Sequence, residues 1–245
     1  MLHRGCLDGG DQALELALAH ALVRRAGAGA VEEVLRVYRP SAPVVVFGRR
    51  DTRLPGFAAA VGAAESAGFT PLVRPTGGRA VAYTGNAIVV DHVRREPEAI
   101  GALDHRFVQF GGMLATALRS LGVDARVGAV PGEYCPGAHS VNAGGTVKLV
   151  GTAQRVIKDA WLFSSLVMVA DEESLRPLLA GVYRHLELPF DEASVGSITG
   201  EQPTLSVEAV ERVLLEAHGV AALPVAALDP ATLELARELV DQHRV

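Results

Sequence analysis

The sequence predicts an α/β fold of the mixed α+β kind, and three observations carry that expectation. β-branched runs of strand length alternate with amphipathic runs of helix length, no segment repeats another, and 245 residues suffice to bury one full core. An apolar content of 49% with 21% charged residues is that of an ordinary globular chain, which excludes a disordered one.

The elements follow in order. Leu14, Ala17, Leu18, Ala21 and Leu22 share one helical face, so residues 11–25 read as an amphipathic helix. Residues 34–38 and 44–47 are β-branched runs separated by Pro40 and Pro43 and read as paired strands. A helix over residues 57–67 stops at Gly68, a residue suited to the left-handed position after a helix end. Residues 70–74 and 87–93 are strand-like and flank a glycine-rich turn. Ile100, Leu103, Phe107, Phe110, Leu114 and Leu118 place a long helix over residues 98–121, ended by Gly122. Strands are expected at 138–141, 147–157 and 161–169, and a helix begins after Asp171 as N-cap.

The tail changes character. Residues 189–204 are rich in turn formers, and two short helices follow, one over 206–218 closed by Gly219 and one opening at Asp229-Pro230. About forty residues are marginal as an independent fold. The expected organisation is therefore a catalytic domain over residues 1–195 with a small helical segment, 196–245, packed on it.

Several function classes are excluded at this level. A net charge of −5 argues against nucleic-acid binding by phosphate neutralisation. The eight histidines are scattered rather than set at metal-ligand spacing. No apolar leader opens the sequence, and the longest apolar run, residues 162–170, is too short to span a bilayer, so no membrane association and a cytoplasmic location are expected. Cys6 and Cys135 are expected as free thiols.

Three constellations can carry chemistry. In Arg74-Pro75-Thr76-Gly77-Gly78-Arg79, paired glycines between two strands make either a simple turn or a loop whose amides approach a carboxylate, phosphate or acyl oxygen. Lys148, one of two lysines, stands among Gly144, Gly145 and Gly151 in a small-residue strand. It either reaches solvent from an edge strand or serves as a buried cation for a developing oxyanion. Cys135 precedes Pro136-Gly137, which holds its sulfur on a turn; it is either a small buried hydrophobe or a nucleophile activated by a nearby ammonium or by N–H groups.

Taken together, Arg-x-Thr-Gly-Gly at 74–78 and Lys-Leu-Val-Gly-Thr-Ala-Gln-Arg at 148–155 resemble the biotin/lipoate protein ligase catalytic-domain superfamily of lipoate ligases, octanoyltransferases and biotin ligases. Tyr134-Cys135-Pro136-Gly137, with Phe47-Gly48-Arg49-Arg50-Asp51 and Arg53-Leu54-Pro55, is most similar to the octanoyl-[glycine cleavage H protein]:protein N-octanoyltransferase branch. The resemblance runs from the first helix to about Gly196-Ser197 and implies a mixed, largely antiparallel sheet with a tunnel for a medium-length acyl chain.

The resemblance also implies a mechanism. Cys135 would take an octanoyl group from a carrier-protein lysine amide as a thioester, Lys148 would hold the carbonyl oxygen, and a lysine of a lipoyl domain would receive the acyl group. Substrate contacts would come from Arg74, Gly77, Gly78, Gly151, Thr152 and Gln154. The implied partners are lipoyl-domain proteins and the glycine cleavage H protein, or acyl carrier protein as a thioester donor; neither ATP nor metal is required. The alternatives are an octanoyl-acyl-carrier-protein transferase, an ATP-dependent lipoate ligase that would not need Cys135, and a non-catalytic binding relative. The sequence departs from the pattern at Arg79, where a third glycine is usual, and at Tyr83-Thr84, where an acid is frequent. Ala138-His139-Ser140 lacks the acid expected after Pro-Gly, leaving His139 either as the proton acceptor or as a surface histidine.

Overall fold

Valine, isoleucine and leucine dominate the strand-forming segments, and in the computed structural model, which describes residues 1–245, these segments make two sheets. The larger has seven strands in the order β1 (Leu2–Arg4), β2 (Glu33–Tyr38), β6 (Ala87–Arg95), β10 (Ala160–Met168), β9 (Val147–Ile157), β8 (Val141–Ala143) and β7 (Ala125–Val127). All its neighbours are antiparallel except β1 and β2. The smaller is β4 (Thr70–Val73), β3 (Val44–Phe47) and β5 (Val81–Tyr83), with β3 parallel to β4 and antiparallel to β5. The expectation of a mixed, mostly antiparallel α/β architecture holds.

Two strand expectations are corrected. β2 and β3 do not pair: each belongs to a different sheet, and residues 39–43 carry the chain between them. Pro40 and Pro43 keep their preceding residues extended and offer no N–H, so the connection runs on rather than folding back as a hairpin. The segment after the paired glycines is also more than a turn, because it holds the short strand β5.

Alternation along the central strand β6 places the helices. Val89 and Val93 point to one face, where α1 (Gln12–Gly27) and the smaller sheet pack, while Ile88 and Val90 point to the other. There they meet α3 (Leu103–Arg119) and α6 (Val207–Ala217) through Leu114, Leu118, Val210 and Leu214. α2 (Phe57–Ser66) and α4 (Glu172–His185) pack together on the smaller sheet, α5 (Ile198–Glu201) contributes Ile198 to the α3–α6 side, and α7 (Pro230–Leu239) packs on α1. No helix is long and apolar enough to cross a membrane.

Caps explain where several helices begin. Asp11, Ser206 and Asp229 each accept a first-turn N–H with their side chains. The expected long helix over residues 98–121 opens with a 3-10 turn at Ala99–Ala102, since Glu98 is left-handed and supplies no side-chain cap. Asp171 precedes α4 as expected, yet its side chain does not cap. It sits at φ +74°, and its carboxylate accepts from Thr84 Oγ1 and Asn86 Nδ2 instead.

Candidate active site

The loop between β7 and β8 is bent back on itself by Glu133, a buried carboxylate that accepts from the N–H groups of Val130 and Gly137 and from Ser140 Oγ at 2.7 Å. This turn delays the strand expected at 138–141 until Val141. At its apex Cys135 has φ +44°, a left-handed backbone costing roughly 1–2 kcal/mol for a residue with a Cβ. Three hydrogen bonds hold it there. The Tyr183 hydroxyl on α4 accepts the Cys135 N–H, and Lys148 Nζ donates to the carbonyls of Tyr134, at 3.0 Å, and Cys135, at 2.8 Å.

Lys148 is therefore not a solvent-facing edge lysine. It sits on β9 between β8 and β10, is 1% exposed, and pairs with Glu133 Oε2 at 2.8 Å, with its ammonium 4.9 Å from the centre of the Tyr134 ring. An ammonium has three N–H donors, and Glu133, Tyr134 and Cys135 occupy all three. Gly151, three residues on, lies beside the lysine stem: a Cβ there would touch Lys148 Cε at 3.4 Å, about van der Waals contact.

The glycine pair comes to the sulfur from the smaller sheet. Arg74 Nη2 and the Arg79 N–H each donate to Cys135 Sγ at 3.2 Å. Gly78 has φ +108°, and a Cβ added there would stand 2.6 Å from Sγ and collide with the Arg74 guanidinium. Glycine is required at this position on both grounds. The N–H groups of Gly77 and Gly78 donate to nothing else in the chain. Arg79, in place of a third glycine, turns its guanidinium outward to the buried Asp51 at 2.9 Å, and Asp51 also accepts the Gly48 N–H. Gly48 in turn lies directly under the Gly78 carbonyl, where a Cβ would overlap it.

These neighbours decide the state of the thiol. Burial pushes it up, but Arg74, Lys148 and the Arg79 N–H outweigh burial and bring Cys135 below the ordinary thiol value. Cys6 moves the other way, raised by burial, with its Sγ donating to the Arg39 carbonyl.

Two cavities meet at Cys135. One runs between the two sheets and is walled mostly by apolar residues, among them Leu16, Val46, Val81, Val89 and Leu166. The other is more open and is lined by Gly77, Gly78, Phe107, Pro136, His139 and Gln154. Cys135, Lys148, Thr152 and Ala153 line both. His139 stacks on Phe107, with ring centres 5.6 Å apart, inside the second cavity rather than on a strand surface. Gln154 also faces that cavity, but its amide is spent on α3, donating to the Leu103 carbonyl and accepting from Arg106 Nε.

Of the residues singled out in the sequence, Arg74 and Gly78 lie against the Cys135 sulfur, Lys148 holds the Cys135 carbonyl, Gly151 and Thr152 line the cavity between the sheets, Gly77 borders the second cavity, and Gln154 is tied elsewhere. Glu133, Tyr183 and Asp51 were missed. Glu133 had a readable signal, since it directly precedes Tyr-Cys-Pro-Gly and a buried lysine needs a carboxylate. Tyr183 had none, because it meets the site only through the packing of α4.

Residues 11–219 match the family described as lipoyl protein ligase A/B catalytic domain. An octanoyl-[GcvH]:protein N-octanoyltransferase of Geobacillus kaustophilus is 28% identical over 148 residues, 60% of this chain and 52% of the relative. One from Exiguobacterium sibiricum is 30% identical over 117 residues, 46% of this chain and 41% of the relative. The chain thus spans about half the length of such relatives. Among solved structures, a lipoate-protein ligase A bound with ATP superposes with a TM-score of 0.76 at 22% identity, covering 99% of this chain and 95% of that one. A bi-partite lipoate protein ligase from Thermoplasma acidophilum gives 0.70 at 22% identity, covering 98% and 92%. Both likenesses establish the fold.

Proposed function

The chain belongs to the lipoyl protein ligase A/B catalytic-domain family, and from that premise we propose that it moves an octanoyl or lipoyl group through a Cys135 thioester. The donor is a carrier-protein lysine amide, of the kind the names of its relatives give as octanoyl-[GcvH], and the acceptor is the lysine of a lipoyl domain. The observation that carries this reading is the position of Cys135: a thiol below its ordinary pKa, held in a left-handed turn where an apolar cavity meets a more open one. A ligase working through an acyl-adenylate has no use for such a thiol.

In the first half-reaction the Cys135 sulfur forms a bond to the donor carbonyl carbon while the acyl chain lies between the sheets. The C–N bond breaks, and the departing lysine amine takes up a proton from His139, a reading supported by that imidazole lining the second cavity. In the second half-reaction an acceptor amine enters by the same cavity and attacks the thioester. His139 takes its proton, and Cys135 leaves as thiolate.

Lys148 holds the Cys135 carbonyl and adds positive charge near the sulfur. To reach the carbonyl oxygen of the acyl group it must release one of its three present partners. The unoccupied N–H groups of Gly77 and Gly78 therefore join it as candidate donors to the tetrahedral oxyanion.

The test is transfer to an apo lipoyl domain from octanoylated H protein, from octanoyl-acyl carrier protein, and from octanoate plus ATP, with wild-type and Cys135→Ala protein. Transfer from the amide donor that is lost in Cys135→Ala supports the reading. Transfer from acyl carrier protein alone, or only with ATP, would replace it with the corresponding alternative.

A further inference from the structure

The cavity between the sheets is apolar near its middle and polar at its far end. Two cross-strand rows form its floor. Ala153, Ser164, Asp91 and Arg36 pair in sequence across β9, β10, β6 and β2, and Gly151, Leu166, Val89 and Tyr38 form the row beside them. The small residues Gly151 and Ala153 lie at the Cys135 end. Three strand spacings away, about 14 Å, lie Arg36 and Tyr38. Leu16 and Ala19 of α1, with Val46, Val81 and Tyr83 of the smaller sheet, close the roof.

A chain entering at Cys135 and crossing the strands ends against hydrogen-bonding groups. Asp91 is 3% exposed, accepts from Ser164 Oγ at 2.6 Å, and lies 3.6 Å from Arg36 Nη1, beyond hydrogen-bond reach, so one carboxylate oxygen has no donor. Tyr38 and Tyr83, 3% and 6% exposed, line the cavity, and neither hydroxyl makes a hydrogen bond within the chain. Burial pushes both phenols well above their ordinary range, so both keep their protons. Arg36 is engaged by Glu15, stacks on the Tyr38 ring at 3.9 Å, and does not line the cavity.

Buried polar groups left unmatched are costly, and a bare methyl end leaves them unmatched. We propose that the far end of this cavity is a polar subsite, formed by Tyr38, Tyr83 and Asp91, for an acyl chain bearing a neutral hydrogen-bond donor such as a hydroxyl on its distal carbon. A distal carboxylate is disfavoured, since Glu15 and Asp91 already outnumber Arg36 in the buried cluster. The inference rests on this cavity being the acyl pocket of the proposed transfer, and it goes beyond that reading, since an octanoyl group carries no distal hydroxyl.

The experiment measures binding without reaction. N-methyl octanamide and N-methyl-8-hydroxyoctanamide are titrated calorimetrically into wild-type protein and into Tyr38→Phe, Tyr83→Phe and Asp91→Asn variants whose folding is checked by circular dichroism. The expected result is that wild type binds the hydroxy amide at least about tenfold more tightly and that the preference collapses in Tyr83→Phe or Asp91→Asn. Equal affinity, a preference for the plain amide, binding of neither, or a hydroxyl preference that survives all three substitutions overturns the proposal. Because no bond is formed, an inactive protein that still shows the hydroxyl preference refutes the transfer reading alone. An active one without the preference refutes the subsite alone.

Discussion

The hydroxyl of Tyr183 accepts the Cys135 N–H at 2.6 Å and donates to the Ala80 carbonyl at 2.9 Å, so one phenol on α4 fixes both the nucleophile loop and the strand that follows the glycine pair. Two segments 55 residues apart, Ala80 and Cys135, are thereby held in register by a side chain that never faces the cavity between the sheets. Tyr183→Phe leaves the Cys135 N–H without its acceptor and is expected to lower stability by about 1–3 kcal/mol. It is also expected to slow transfer by roughly ten- to a hundredfold through misplacement of the sulfur. Thermal unfolding and initial transfer rates check the two effects separately.

The thiol itself gives a pH prediction. Its folded-state pKa lies below the ordinary value because Arg74, Lys148 and the Arg79 N–H outweigh burial, so the thiolate persists to lower pH than in an unfolded chain. Iodoacetamide should therefore alkylate Cys135 well before Cys6, whose pKa is raised, with a rate that falls only as pH drops through the depressed value. Arg74→Ala moves that midpoint upward and slows alkylation at neutral pH by roughly tenfold. Mass mapping of the modified cysteine at a series of pH values reads both.

Lys148 and Glu133 form a buried pair, 2% and 0% exposed at their side chains. Lys148→Met strands the carboxylate and is expected to cost about 3–5 kcal/mol, whereas Lys148→Met with Glu133→Gln recovers most of the stability. Neither restores transfer, because the cation near the sulfur is gone in both. Unfolding curves for the single and double variants, beside their activities, separate the structural part of Lys148 from the chemical part.

Adjacent glycines should behave differently. A Cβ at Gly77 meets nothing, while one at Gly78 meets Cys135 Sγ and Arg74. Gly77→Ala is expected to keep activity within severalfold, and Gly78→Ala to lose about a hundredfold or more with the alkylation advantage of Cys135.

Much of this arrangement was legible in the sequence, and the gaps have physical causes. Helix starts at residues 11, 206 and 229 were readable because the N-cap that sets each of them is a local contact between a side chain and its own first turn. The split of residues 34–47 between two sheets was not, because strand propensity carries no information about partners. Lys148 looked equally suited to an edge strand, since what settles its burial is Glu133, placed beside it by the turn at residues 133–140. Asp171 had the composition of a cap, yet Thr84 and Asn86, remote in sequence, claim its carboxylate. Tyr38 and Asp91 fall in expected strands and Tyr83 in the glycine-rich turn, where it marked only a departure from the family pattern, and their shared position at the end of one cavity exists only after the sheets are stacked.

The central claim is that an acyl group resides on Cys135 between donor and acceptor, and intact-mass analysis tests it most directly. Protein incubated with octanoylated H protein and no acceptor should gain one octanoyl mass, confined to the peptide containing Cys135 and absent in Cys135→Ala. Addition of apo lipoyl domain should then discharge it in step with octanoylation of the acceptor. Undiminished transfer by Cys135→Ala, or an adduct that does not discharge on adding acceptor, would contradict the account.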